Sequence, residues 1–273
     1  MSVARALRLV TGGPERRAIE AGEIDAVIDS ATGNVFLLPQ AKRALSSAGG
    51  EAANGLLAAL PRQDHQRLLA ELELVPLAYG EVMYQPGERI RHVHFPNDAI
   101  VSLLAVVEGK ALAVGLVGRE GMVGIPLALG AELALVRAVV QGTGSALRMK
   151  AASFHEALEH CAPLRREVQR YAYTKLVEAR QTAVCNRFHG VEERLGRWLL
   201  MTHDRVRADR LHVTHEFLAD MLGVRRAGVT QAAGDLQRRR LIDYRRGDVR
   251  ILDRKGLEAA ACGCYRIVKV LAG

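Results

Sequence analysis

The chain has 273 residues, 49% apolar and 25% charged, which is ample for a real core in one or two domains and ordinary for a soluble globular protein. No run of about 18 or more uncharged apolar residues exists. The longest candidate, 99–117, is broken by Glu108 and Lys110, so a membrane-spanning helix is excluded. Of the net charge of +8, residues 187–273 hold +7, with 18 Lys+Arg against 11 Asp+Glu; that asymmetry points to an acidic partner, and nucleic acid is the usual one.

The N-terminus, MSVARALRLVTGGPERR, lacks an apolar core and a small-residue cleavage site, so no signal peptide is read and a cytoplasmic protein is expected. Residues 1–55 form an extension of unknown role. It holds a short amphipathic stretch (17–28), a turn over Asp29–Asn34, an apolar Val35–Leu38 ending at Pro39, and a linker over 48–55. Residues 56–75 read as one helix or two short ones, with Pro61 and Asp64 as start signals and Leu68, Leu69 and Leu72 on the apolar face.

From 76 to 150 the pattern changes to short apolar runs between turn signals, about 8–12 residues apart, as in a small β sandwich or barrel. The runs are Val82–Tyr84, Val93–Phe95, Ile100–Val107, Leu112–Val117 and a last strand within Val139–Met149; residues 125–136 are ambiguous. A helix is expected over 153–187, with Pro163 where a helix can begin. Its stripe of Val168, Ala172, Leu176, Ala179 and Ala183 fits the dimer helix of a two-subunit protein. A further amphipathic helix over 191–203 turns Leu195, Trp198, Leu199 and Thr202 to a core.

The segment LADMLGVRRAGVTQAAGDLQRRRLI, residues 218–242, carries the functional signal. Thr214 is a plausible N-cap for a helix through Leu222, and Gly223 can take the left-handed geometry that ends it sharply. A second helix then runs from about Arg225 to Arg239, with Val229, Ala232, Ala233 and Leu236 inward. Small Ala219 lies where two crossing helices approach. This is the helix-turn-helix pattern, whose second helix enters the major groove. Arg225, Arg226, Gly228, Thr230 and Gln231 fall on its N-terminal half, where arginine can pair with guanine and glutamine with adenine. Arg238, at the far end, suits phosphate contact. Two short strands around Arg245-Arg246-Gly247 then make a wing, with Arg245, Arg246 and Arg250 able to reach backbone phosphates.

The order of β domain, long helix and winged helix-turn-helix resembles the Crp/Fnr family of bacterial transcription regulators. The resemblance covers roughly residues 56–265 and rests on VEERLGRWLL, VTHEFLADMLGVRRAGVTQAAGDLQRRRLI and YRRGDVRILD, with YQPGE, FPNDAIVSLL and GREGMVG similar to that family's β-roll. It implies an α+β fold: an N-terminal β-roll (a double-stranded β-helix, cyclic-nucleotide-binding-like) over 56–160, a dimerisation helix over 161–189 and a winged helix-turn-helix over 190–273. It implies a homodimer on a near-palindromic double-stranded DNA operator, with RNA polymerase and an unidentified small effector as further partners and no membrane. Two departures stand out. Cyclic-nucleotide-binding members carry a Gly-Glu-Leu-like turn and a later Arg followed by Ser or Thr; here the turn reads Gly121-Met-Val-Gly124 and Arg137 is followed by Ala138. Family members often carry Arg-Glu in the recognition helix; here it is Arg226-Ala227, which changes the base that is read.

Rival readings are a cupin-like metalloenzyme using His92 and His94, which is two ligands of an incomplete site, and a ligand-free β-roll interaction platform. No P-loop, Gly-x-Ser-x-Gly or paired catalytic carboxylates occur, so no catalytic residue and no cofactor is expected. Four cysteines (161, 185, 262, 264) are too few and scattered for a disulfide framework. Cys262-Gly-Cys264, two thiols with no neighbouring His or Cys, reads as a poor zinc site, and no N-terminal cysteine cluster suggests iron–sulfur chemistry.

Overall fold

The computed structural model describes residues 26–28, 35–37, 54–205, 210–245 and 247–272. The chain forms two compact units, Met1–Ala52 and Ala53–Gly273. In the first, β1 (Ala26–Ile28) pairs antiparallel with β2 (Val35–Leu37), Val27 opposite Phe36. The turn expected over 29–34 and the linker residues 48–53 lie outside the described residues.

The second unit begins with α1 (Gly55–Ala58) and α2 (Arg62–Leu69), the two-helix version of the expectation. Asn54 is fully buried and caps α1: its Oδ1 accepts from Leu57 N at 3.2 Å, while its Nδ2 donates to Pro96 O and Gly121 O, both at 2.8 Å. The helix expected to reach residue 75 stops at Leu69, and Glu73–Leu77 is instead β3. Leu72 keeps the helical spacing of Leu68 and Leu69, which hides the boundary. Pro76 is tolerated because β3 is an edge strand.

Two antiparallel sheets make the β domain. Strands β4 (Val82–Tyr84), β5 (His92–Pro96), β6 (Ile100–Val107) and β7 (Lys110–Val117) follow the expected runs. A short α3 (Ile125–Ala128) occupies the ambiguous region. The single last strand expected within 139–149 is two: β8 (Arg137–Gly142) joins the four-stranded sheet in the order β4-β8-β6-β7, and β9 (Gly144–Lys150) joins the three-stranded sheet in the order β3-β9-β5. Gly142 and Gly144 let the chain pass between the sheets, where the polar stretch 141–145 interrupts the apolar pattern.

The helix expected over 153–187 is also two, α4 (Ala151–His160) and α5 (Ala162–Phe188). Cys161 leaves helical geometry, and Pro163 in the first turn of α5 cannot donate back into α4. Next come α6 (Val191–Arg205), β10 (Arg210–His212), α7 (His215–Leu222), α8 (Arg226–Arg238), β11 (Ile242–Arg245), β12 (Asp248–Ile251), α9 (Arg254–Ala260) and α10 (Cys264–Ala272). The wing is a three-stranded sheet in the order β10-β12-β11; β10 was not read from sequence. One apolar cluster runs from Ile100, Leu104 and Leu116 of the β domain through Leu195, Trp198 and Leu199 of α6 to Leu218, Val229, Leu236 and Val249. The β domain and the C-terminal elements therefore share a core.

A buried four-charge network crosses the same junction. Glu120 follows β7, Lys175 and Glu178 lie on α5, and Arg205 ends α6. Arg205 Nε lies 2.8 Å from Glu120, Lys175 Nζ lies 2.7 Å from Glu178, and the cross pairs Lys175–Glu120 and Arg205–Glu178 lie at 3.8 and 3.7 Å. Lys175 also donates to Leu116 O at 2.5 Å. Tyr171 covers Gly121 so closely that a Cβ there would fall 2.0 Å from its ring, so the turn after Glu120 admits only glycine.

Candidate nucleic-acid interface

The two crossing helices form as the sequence predicts. Thr214 Oγ1 accepts from Phe217 N at 3.2 Å and caps α7. Gly223 ends α7 at φ +61°, left-handed geometry that costs a side-chain-bearing residue about 1–2 kcal/mol. Arg225 takes an extended conformation as N-cap of α8, and Val229, Ala232, Ala233 and Leu236 are buried. Arg194 of α6 is buried and donates to Leu222 O, closing the C-terminal end of α7. VEER is thus a structural brace for the motif.

The opposite face of α8 is open. Arg225, Arg226, Thr230 and Gln231 are exposed, and Gly228 is half-buried. Neither Arg225 nor Arg226 holds a side-chain hydrogen bond or ion pair among the described residues. The helix N-terminus adds its own positive field to theirs. A Cβ on Gly228 would meet only Val191 Cγ2, at 4.0 Å, so nothing inside the protein requires glycine there. Thr230 is less free than expected: its hydroxyl bonds Arg226 O at 3.1 Å and His215 Nδ1 at 3.0 Å, leaving its methyl to the outside.

The remaining cations flank this face. Arg238 pairs with Asp235, Arg239 with Glu192 at 2.5 Å, and Arg245 with Asp243 at 3.1 Å. Such exposed pairs contribute little, so the guanidiniums can exchange carboxylate for phosphate. Arg246 lies outside the described residues. Sequence reasoning missed His215. It stacks on Tyr244 of the wing at 4.4 Å, and burial followed by the Arg226 charge lowers its pKa, so the ring is neutral near pH 7. Its position beside Thr230 depends on how α7 and α8 cross, and no local pattern reports that.

The stripe on α5 divides. Val168 is buried in the chain's own core, with Ala172 half-buried beside it, while Leu176, Ala179 and Ala183 are exposed. Tyr173, Val184 and Phe188 extend the exposed apolar surface.

In the β domain, Met122 and Val123 of the Gly121–Gly124 turn are buried, and Arg137 Nε donates to Gln85 Oε1 at 2.7 Å. His92 and His94 lie with ring centroids 6.2 Å apart opposite Lys150 and Arg148. Burial and the Arg148 charge push the His94 pKa down to about 3. Among the described residues no third donor joins them.

One donor set does assemble. Cys185, His189, Cys262 and Cys264 bring their side-chain donor atoms within 4.8 Å of one another. The reading that Cys262 and Cys264 lack a neighbouring His or Cys is corrected: the partners come from the end of α5, 77 residues earlier for the Cys185–Cys262 pair. The hydrogen bond from Cys262, with the Arg197 charge, holds the Cys185 thiol below its ordinary range against burial, while the same hydrogen bond and burial push Cys262 up.

Comparison with known proteins agrees with this geometry. Residues 193–260 match the family model of the Crp-like helix-turn-helix domain. The fold is similar to that of FixK2 from Bradyrhizobium japonicum, with TM-score 0.61 at 15% identity over 70% of this chain and 98% of that one. Two transcriptional regulators of Thermus thermophilus are also similar. One, of the CRP family, has TM-score 0.57 at 22% identity over 68% of this chain and 96% of that one. The other, of the CRP/FNR family, has TM-score 0.54 at 22% identity over 69% and 98%. No curated protein sequence matches the chain. No helix among the described residues is long and apolar enough to cross a membrane.

Proposed function

We propose that the chain is a transcription regulator of the Crp/Fnr type, a reading supported by its Crp-like helix-turn-helix domain and by a fold similar to that of such regulators, and that it is a homodimer that reads a near-palindromic operator. In this reading the β domain, through an effector, adjusts the two DNA-binding heads, and the bound dimer meets RNA polymerase. The observation that carries the reading is the pair of arginines at the N-terminus of α8, exposed and without partners among the described residues. Arg225, Arg226 and Gln231 would read base edges. Thr214, Arg238, Arg245 and Arg246 would hold phosphates, and Gly228 and Thr230 would line the closest approach. Leu176, Ala179 and Ala183, with Ala172 beside them, would meet the second copy, Val168 supporting that face from within. The heads must then stand roughly 34 Å apart to engage both half-sites.

Two variants separate DNA contact from structural roles. Gly228→Ala should leave stability unchanged or raised by up to about 1 kcal/mol, because alanine is the better helix former and the space is open. It should nevertheless weaken operator binding, because the methyl holds the helix off the duplex. Urea unfolding and fluorescence titration on the same preparation check both halves; unchanged affinity removes Gly228 from the interface. Arg245→Ala should weaken binding to every sequence alike and reduce the slope of log K against log salt by about one. An unchanged slope removes Arg245 from the phosphate contacts. Sedimentation of the free protein tests the dimer: twice the chain mass is expected, and a monomer at micromolar concentration contradicts it.

A further inference from the structure

We propose that Cys185, His189, Cys262 and Cys264 form a tetrahedral site for one zinc ion that fastens the long helix to the C-terminal helices. Cys185 lies in the last turn of α5 and His189 is the extended C-cap that follows it, its backbone N donating to Cys185 O at 3.1 Å, which keeps the two residues side by side. Cys262 and Cys264 flank Gly263 in the turn between α9 and α10, and this spacing turns both thiols toward α5. All three cysteines are buried, and all four donor atoms lie within 4.8 Å of one another.

The distances fit an ion better than a set of packed thiols. Zinc holds sulfur at about 2.3 Å and nitrogen at about 2.0–2.1 Å, which puts neighbouring donors of a tetrahedron roughly 3.5–3.8 Å apart. Cys185 Sγ lies 3.5 Å from Cys262 Sγ, and Cys264 Sγ lies 3.6 Å from His189 Nδ1. A disulfide would need about 2.05 Å. An iron–sulfur cluster spreads its cysteines over several metal atoms and needs a wider cage than 4.8 Å. Three soft thiolates and one imidazole select zinc, and four protein donors leave no open position, as in a structural site.

The surroundings complete the site. Gln181 Nε2 donates to Cys264 Sγ at 3.0 Å, the kind of outer hydrogen bond that orients a thiolate ligand. Zinc with three thiolates and a neutral imidazole carries a net charge of −1. Buried Arg197, whose charge acts on Cys185 and whose Nε has no partner among the described residues, supplies the compensating cation. Metal binding releases the three thiol protons to solvent. Because the site joins α5 to α9 and α10, occupancy fixes the angle between the long helix and the winged domain. That consequence rests on the proposed function, whereas the site itself does not.

The test is the metal content of the full chain, purified with a thiol-free reductant from zinc-supplemented cells, followed by cobalt(II) titration of the chelator-stripped protein. About one zinc per chain is expected, and cobalt should give the thiolate charge-transfer bands and intense ligand-field bands of a tetrahedral site. Cys264→Ser and His189→Ala should lose bound zinc, while Cys161→Ser, at the other end of α5, should keep it. Zinc well below one per chain without cobalt bands, iron in its place, or full zinc in Cys264→Ser would overturn the proposal. Should the variants fail to fold, the stoichiometry and cobalt spectrum of the unaltered chain decide alone.

Discussion

Glu178→Ala is expected to destabilise the protein by about 3–5 kcal/mol, the range for removing one partner from a buried ion pair. Glu178 is only 2% exposed and faces Lys175 and Arg205, themselves 12% and 7% exposed. The wild-type network balances two cations against Glu178 and Glu120; the variant leaves Glu120 alone against both. Desolvation makes that imbalance costly. The apolar double replacement Lys175→Met/Glu178→Leu should restore much of the loss, because it removes one charge of each sign. Urea unfolding of the two variants separates charge imbalance from lost packing: equal destabilisation in both would contradict the electrostatic origin.

The same network makes part of the stability depend on pH. Burial alone would raise the Glu120 pKa, but Arg205 and Lys175 outweigh it and hold the carboxyl below its ordinary value of 4.5. A depressed folded pKa stabilises above the unfolded value and loses that contribution as pH falls through the folded one. Stability from Glu120 is therefore intact above pH 4.5 and declines below it.

Arg225→Ala/Arg226→Ala should abolish specific recognition while leaving the fold intact. Each bidentate arginine–guanine pair contributes roughly 1–3 kcal/mol of discrimination, so the double variant loses about 30-fold to 10⁴-fold in specific affinity. Both side chains are exposed and without partners among the described residues, so unfolding should shift by less than about 0.5 kcal/mol. If binding to specific and random duplexes falls by the same factor, the arginines contact phosphate alone.

The elements that were legible in the sequence are those whose information is local. Thr214, Gly223 and the apolar positions of α8 declare a helix, a stop and a crossing helix within 25 residues. The strands β4, β5, β6 and β7 announce themselves by short apolar runs between turns. One boundary failed where apolar spacing crosses a change of element, at Leu72 before β3; between β8 and β9 the polar stretch 141–145, with Gly142 and Gly144, marks a turn that the single-strand expectation passed over. What could not be read is what long-range packing decides. Val168 belongs to the same helical stripe as Leu176, yet packing buries Val168 and leaves Leu176 47% exposed. The Glu120–Lys175–Glu178–Arg205 network and the Cys185–His189–Cys262–Cys264 cluster join residues up to 85 positions apart; the network leaves no motif in any one segment, and the cluster shows there only as the Cys262-Gly-Cys264 pair.

The most direct measurement is selection of fragmented genomic DNA on the purified protein beside its Arg225→Ala/Arg226→Ala variant. Enrichment of two-fold-symmetric sites whose half-sites stand one helical turn apart, lost in the variant, is the expected result. Failure to enrich any site, or the same sites enriched by both proteins, would contradict sequence reading by α8.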